Sequence, residues 1–104
     1  NHYSPEDQAP VVQNFIKKYQ EAYGVVPDGL AAMGYDAAKI LADAMGRTET
    51  MGSDNIRAAL AATKDYPGVT GKISIDDKRN SVKPAVVLKV ENGGFKYVTT
   101  VQPL

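Results

Sequence analysis

The hydrophobic period of this chain changes once, at Tyr66-Pro67-Gly68. Before that point apolar residues recur at steps of three and four; after it they alternate with polar ones. Side chains repeat every ~3.6 residues on a helix and every two on a strand, so neither pattern suits the other element. The chain must therefore fold as a helical first part followed by a β-rich second part.

In the first part, Ser4-Pro5-Glu6-Asp7 has a helix-start composition: a serine cap, a proline and then acids favoured by the helix dipole. Pro10 limits what precedes it, so the regular helix is expected over residues 10–23. Val11, Val12, Phe15, Ile16, Tyr19 and Tyr23 share one face, and Gly24 is a C-terminal stop. Asp28 is placed to cap a second helix over residues 30–45. Leu30, Met33, Ala37, Ile40, Leu41 and Ala44 form its expected buried stripe, and its alanines indicate close packing. Gly46 ends that helix. Ser53 is expected to cap a third, over residues 54–63, with Ile56, Ala59 and Leu60 facing inward.

In the second part, Val69, Gly71, Ile73 and Ile75 alternate with Thr70, Lys72 and Ser74, which predicts one strand. Residues 76–81 read as a polar loop. Two β-rich runs, 85–91 and 95–101, are joined by Asn92-Gly93-Gly94. That step tolerates the positive φ angles of a tight hairpin turn. Pro84 and Pro103 bracket the hairpin.

Bulk composition narrows the function. Among 104 residues, 12 Lys and Arg balance 12 Asp and Glu, so no general attraction for nucleic acid or anionic membrane is expected. There is no cysteine, which removes disulfides and thiolate metal sites. No apolar run approaches the roughly 20 residues of a membrane span. The opening residues, Asn1-His2-Tyr3-Ser4-Pro5, do not read as a signal peptide. The missing initiator methionine fits a processed, trimmed or excerpted chain.

No catalytic constellation stands out. His2 is the single histidine and is expected at a frayed, exposed terminus, which argues against a His-based triad and leaves zinc one candidate ligand. Asp76, Lys78 and Asn80 mimic alternate positions of a calcium loop. The required glycine is absent, and Val87 stands where the bidentate glutamate belongs. Asp36 and Asp43 lie nearly two helical turns apart, roughly 10 Å, and are expected as exposed helix acids. The glycines form no phosphate-binding pattern. The scattered tyrosines fit helix packing better than a base-stacking platform. With no nucleophile–base pair and no metal set, the chain is expected not to be an enzyme and to need no cofactor.

Several motifs, taken in order, carry a resemblance. They are Asn1-His2-Tyr3-Ser4-Pro5-Glu6-Asp7, Phe15…Tyr19…Tyr23-Gly24…Pro27-Asp28 and Ala31-Ala32-Met33-Gly34-Tyr35-Asp36-Ala37. They continue through Ile56…Ala59-Leu60 and Gly68-Val69-Thr70-Gly71-Lys72-Ile73-Ser74-Ile75-Asp76 to the closing hairpin. The whole chain is similar to the C-terminal region of type I periplasmic solute-binding proteins. The nearest subgroup is the leucine/isoleucine/valine-binding proteins of ABC transporters.

The resemblance implies an α/β fold: a fragment of the type I periplasmic binding protein fold, with three helices followed by a strand and a C-terminal β-hairpin. It implies one partial domain over residues 1–104. Residues 1–76 would complete the first of two lobes, and residues 77–104 would supply a crossover and the hairpin of the second. The implied partners are a small amino-acid ligand, an ABC transporter membrane permease, and either the remainder of the two-lobed protein or a second copy in a domain-swapped dimer. The implied location is periplasmic or extracytoplasmic. Leu30 aligns with an apolar pocket position, and Met33 is a second ligand-binding candidate; for both, the alternative is an ordinary core residue. A second class of function also stays open: a structural or engineered fragment that folds or self-associates without binding a ligand.

Overall fold

Helix α1 (Pro10–Tyr23) begins at a proline, which has no N–H to leave unpaired in the first turn. It ends at Gly24, whose φ of 74° supplies the left-handed cap. The computed structural model describes all 104 residues. The stretch before Pro10 is a turn rather than a helix start: Ser4 Oγ accepts from Glu6 N, and Asp7 Oδ1 accepts from Ala9 N. Helix α2 (Gly29–Arg47) opens on Asp28, whose side chain accepts from Ala31 N at 2.8 Å. It runs past Gly46 to Arg47. The Arg47 guanidinium pairs with Asp43 at 2.9 Å and donates to Ala59 O and Thr63 Oγ1, which fastens α2 to the end of α3 (Ser53–Ala61). Ser53 makes no capping bond; Gly52 holds the cap position. Ile56, Ala59 and Leu60 are not buried as the pattern predicts: all three are half-buried.

The expected single strand over residues 69–75 is instead a hairpin. Strands β1 (Tyr66–Gly68) and β2 (Gly71–Ile75) pair antiparallel, and Val69 and Thr70 form the turn between them. Strand β3 (Ser81–Val82) adds to the far edge of β2. A separate antiparallel ladder joins β4 (Ala85–Glu91) and β5 (Gly94–Val101). Its two-residue turn places Asn92 at φ 51° and Gly93 at φ 78°, as the Asn-Gly step predicts. A bulge interrupts its register between Val87 and Leu88. The α/β class with three helices, a strand and a closing hairpin stands, with β1 and β3 as additions.

The core gathers Val12, Phe15 and Ile16 of α1, Ala32 of α2, Tyr3, and Val69 from the hairpin turn. Phe15 meets Tyr3 edge-on at 6.3 Å and Tyr35 at 4.7 Å between ring centroids. The buried face of α2 is not the stripe its apolar residues suggest. Ala32, Asp36, Ile40 and Ala44 are buried, whereas Leu30, Met33, Ala37 and Leu41 face outward. The rotation has a clear cause: Asp36, expected as an exposed acid, is 2 % exposed. Its Oδ1 accepts from Val69 N at 2.8 Å; its Oδ2 accepts from Thr70 N at 2.8 Å and Thr70 Oγ1 at 2.7 Å. Hydrogen bonds to a charged group are each worth about 1.5–3 kcal/mol, so three of them turn this face of α2 toward the hairpin. Gly68 makes room for them, since a Cβ there would come within 2.8 Å of Asp36 Oδ2 and of Ile73 Cδ1.

The molecule is long and thin, 51 × 35 × 19 Å, with a radius of gyration of 15.2 Å. A compact chain of this length has a radius of about 13 Å. Its accessible surface is 7208 Å², whereas a compact 11.2 kDa monomer exposes about 5,700 Å². The excess of roughly 1,500 Å² lies on apolar surface as well as polar. Leu30 and Leu41 on α2, with Val90, Phe95, Val98 and Val101 on the last hairpin, are all exposed.

Three outcomes follow from this packing. Asp36→Ala strips the acceptor from two buried amides at ~1–3 kcal/mol each. It lowers stability by about 3 kcal/mol or unfolds the chain, while Asp36→Asn, which keeps one oxygen, loses less; a urea midpoint equal to the parent's contradicts this. The Asp76 carboxylate accepts from the backbone of Asn80 and Lys78, and these bonds lower its pKa from 3.8. Its support for the 76–80 loop is thus complete above 3.8 and fades as pH falls through the lowered folded value; a carboxyl NMR titration with a midpoint at or above 3.8 refutes it. Finally, the excess apolar surface predicts that the chain on its own self-associates or melts at low temperature. A monomeric sedimentation profile together with cooperative melting at high temperature counts against that.

Candidate functional site

Three segments of the chain converge at the start of α2. The first is the N-terminal stretch, residues 1–3. Tyr3 is buried and its hydroxyl donates to Pro27 O at 3.0 Å, which ties this stretch to the loop before α2. Burial, and after it the Asp28 carboxylate, push the Tyr3 phenol above its ordinary value of 10.0, so it remains a donor. Asn1 Oδ1 accepts from His2 N at 2.8 Å and Tyr3 N at 3.3 Å. The same oxygen lies 3.1 Å from where a Cβ on Gly29 would stand, so the bare glycine lets the N-terminal stretch pass close over the helix end.

The second segment is the entry to β4. Val86 N donates to Asn1 O at 2.6 Å. His2 Nδ1 donates to Pro84 O at 2.7 Å, because a carbonyl can only accept. His2 is therefore not a frayed end residue: it is half-buried and holds one segment against another. This contact leaves no reading of His2 as a free catalytic group.

The third segment is the first turn of α2 itself. Leu30 is 74 % exposed and Met33, one turn on, is 37 % exposed. They share a face three residues apart. Neither side chain is buried within this chain. Asp28 beside them caps the helix. What this corner offers a ligand is apolar contact from Leu30 and Met33, framed by two segments running side by side.

The other expected candidates lie elsewhere. Asp36 and Asp43 do not form a pair: Asp36 serves the hairpin turn and Asp43 serves Arg47. Asp76 holds the backbone of its own loop. An 820 Å³ groove between α3 and the end of β2 is lined by Ala58, Leu60, Ala61 and Ile75, with Arg57 and Arg79 beside them. No helix is long and apolar enough to cross a membrane.

Asp36 and the His2–Pro84 contact were missed by sequence reasoning. A signal for the first exists: an aspartate one turn from Ala32 and one turn from Ile40 breaks an otherwise apolar row. The Gly68-Val69-Thr70-Gly71 turn then offers free amides to receive it. No local signal marks the second, which joins residues 82 positions apart.

This arrangement has known counterparts. The periplasmic binding protein family matches residues 1–94. No curated protein sequence matches the chain significantly. Among solved structures, the leucine binding protein LivK of Thermotoga maritima is 34% identical over 99% of this chain, with a TM-score of 0.86. A putative branched-chain amino acid ABC transporter protein of Rhodospirillum rubrum is 36% identical over 93% of it, with a TM-score of 0.81. The substrate binding protein LivJ of Streptococcus pneumoniae, solved in complex with isoleucine, is 31% identical over 99%, with a TM-score of 0.86. The chain spans 30%, 29% and 29% of these three proteins, respectively. Its motifs, its helix-then-hairpin order and its match over residues 1–94 agree: the chain belongs to the periplasmic binding protein family.

Proposed function

We propose that this chain forms part of a two-lobed extracytoplasmic solute-binding protein, which captures a branched-chain or related amino acid and presents it to an ABC transporter permease. Residues 1–76 complete the first lobe; residues 77–104 supply a crossover and the hairpin of the second. The chain binds and does not catalyse. Leu30 lines the aliphatic part of the solute pocket, and Met33 extends that lining.

The observation that carries this reading is the exposed apolar face of α2. Leu30, Met33, Ala37 and Leu41 recur at helical spacing yet cover nothing in this chain. Such a row on a globular protein faces a partner. The matched relatives carry more than two thirds of their length outside the matched region, in the same chain. The rest of the protein is therefore the cover we propose for the Ala37 and Leu41 end of that face, rather than a swapped second copy, and the solute is the cover for the Leu30 and Met33 end. The named ligands of relatives support the solute class: one is a leucine binding protein, and another holds isoleucine.

Binding works by differential affinity. A solute that touches both lobes stabilises the closed arrangement over the open one, and the population shifts accordingly. Leu30 is suited to a share in that contact because it stands at a helix end beside the two segments that would join the lobes.

In the two-lobed protein, leucine, isoleucine or valine at about 100 times its dissociation constant adds about 2.7 kcal/mol to stability, read as a rise in melting temperature. Leu30→Ala weakens affinity by about 2 kcal/mol, the cost of removing apolar contact from a pocket. It leaves the ligand-free melting temperature nearly unchanged, because without solute the pocket end of this face meets solvent rather than the other lobe. Met33→Ala has a smaller effect. Melting that none of the three amino acids shifts sinks the solute-binding reading and favours a structural fragment.

A further inference from the structure

The two small sheets are joined by Lys83 and Pro84, which lie between β3 and β4. This link is held from two sides. On one side, Pro84 O accepts from His2 and Val86 N donates to Asn1 O. On the other, buried Pro84 packs directly on Gly71, the first residue of β2. Gly71 has a φ of 104°, and a Cβ there would overlap the Pro84 ring. Lys83 completes the second contact: its Nζ donates to Thr70 Oγ1 at 3.2 Å.

The polarity of these bonds is determined. An ammonium can only donate and an ionised carboxylate can only accept. Thr70 Oγ1 therefore accepts a hydrogen bond from Lys83 Nζ and donates one to Asp36 Oδ2. Asp36 has no Lys, Arg or His nitrogen within ion-pair distance. Its buried charge meets a cation only through the threonine hydroxyl. Charge-assisted bonds at both ends make such a chain stronger than neutral ones would be.

We propose that Lys83 is a positioning residue: through Thr70 it pins the Lys83 and Pro84 link to the buried carboxylate of α2. If the two-lobed reading above holds, this link lies within the crossover that residues 77–104 supply. The relay then fixes where that crossover leaves the lobe, and bending between the lobes takes place on the hairpin side of Pro84. No ligand contact is involved. Lys83 acts on the solute site only by setting the path of the segment that lies beside residues 1–3.

Amide hydrogen exchange on the full chain, without amino acid, tests the relay. Lys83→Met keeps the aliphatic stem and removes the ammonium. It should speed exchange at residues 81–86 by about tenfold, the change that one charge-assisted hydrogen bond is worth, while α1 and the residues 91–94 turn keep their rates. Lys83→Arg, which restores a donor cation, should recover most of the protection. In a Thr70→Val background the further effect of Lys83→Met should fall below about twofold, because the bond it removes is already gone. Unchanged exchange at residues 81–86 in Lys83→Met overturns the proposal, and so does an equal acceleration with and without the Thr70 hydroxyl. Since no solute is present, the result for Lys83 is independent of whether the protein binds amino acids.

Discussion

One buried carboxylate organises this chain. Asp36 leaves the side of α2 and accepts three bonds from two consecutive residues of the β1–β2 turn. A charge taken out of water is costly unless it is well paired; here backbone amides and a hydroxyl do the pairing. The consequence is directional. The turn can sit at one height and one angle on the helix, and Val69 is thereby delivered into the core beside Phe15 and Ile16. The roll of α2 about its axis is set by the same bonds. Rolling it to bury Leu30 and Leu41 would pull the carboxylate off its donors.

That roll leaves a second apolar row on α2 facing outward, and the hairpin of β4 and β5 adds exposed Val90, Phe95, Val98 and Val101. A chain of this composition is able to bury more than it does. The excess surface is of the order of one side of a standard protein–protein interface or more. A small all-antiparallel set of strands does not offer both faces of a sheet to three helices. The family supplies a physical explanation: its members of known structure are about three times longer than this chain. Within that frame the exposed start of α2 and the paired segments at residues 1–3 and 84–86 form one corner, and the solute reading places its contacts there.

Much of the secondary structure was legible locally. The limits of α1 are dictated by Pro10 and Gly24, the start of α2 by Asp28, and the closing hairpin by Asn92-Gly93. Each signal acts through bonds or torsions within a few residues. The misreadings share a different cause. Alternation over residues 69–75 suggested one strand, but Val69 and Thr70 form a turn because a carboxylate more than thirty residues away binds their amides. His2 looked like a loose end because its partner, Pro84, lies far along the chain. Leu30 and Met33 were legible as candidates only through the family resemblance, since helical spacing alone also fits a core residue.

The sequence by itself determined the order of the three helices and the closing hairpin, the family and the lack of thiol chemistry, because these depend on residue type and short-range spacing. The tertiary structure alone decided which face of α2 is buried, where the first strand breaks into a hairpin, and that the N-terminal stretch and the entry to β4 run side by side. These are choices between surfaces of similar apolar content. Long-range polar bonds settle them, and such bonds become visible only when distant parts of the chain are brought together.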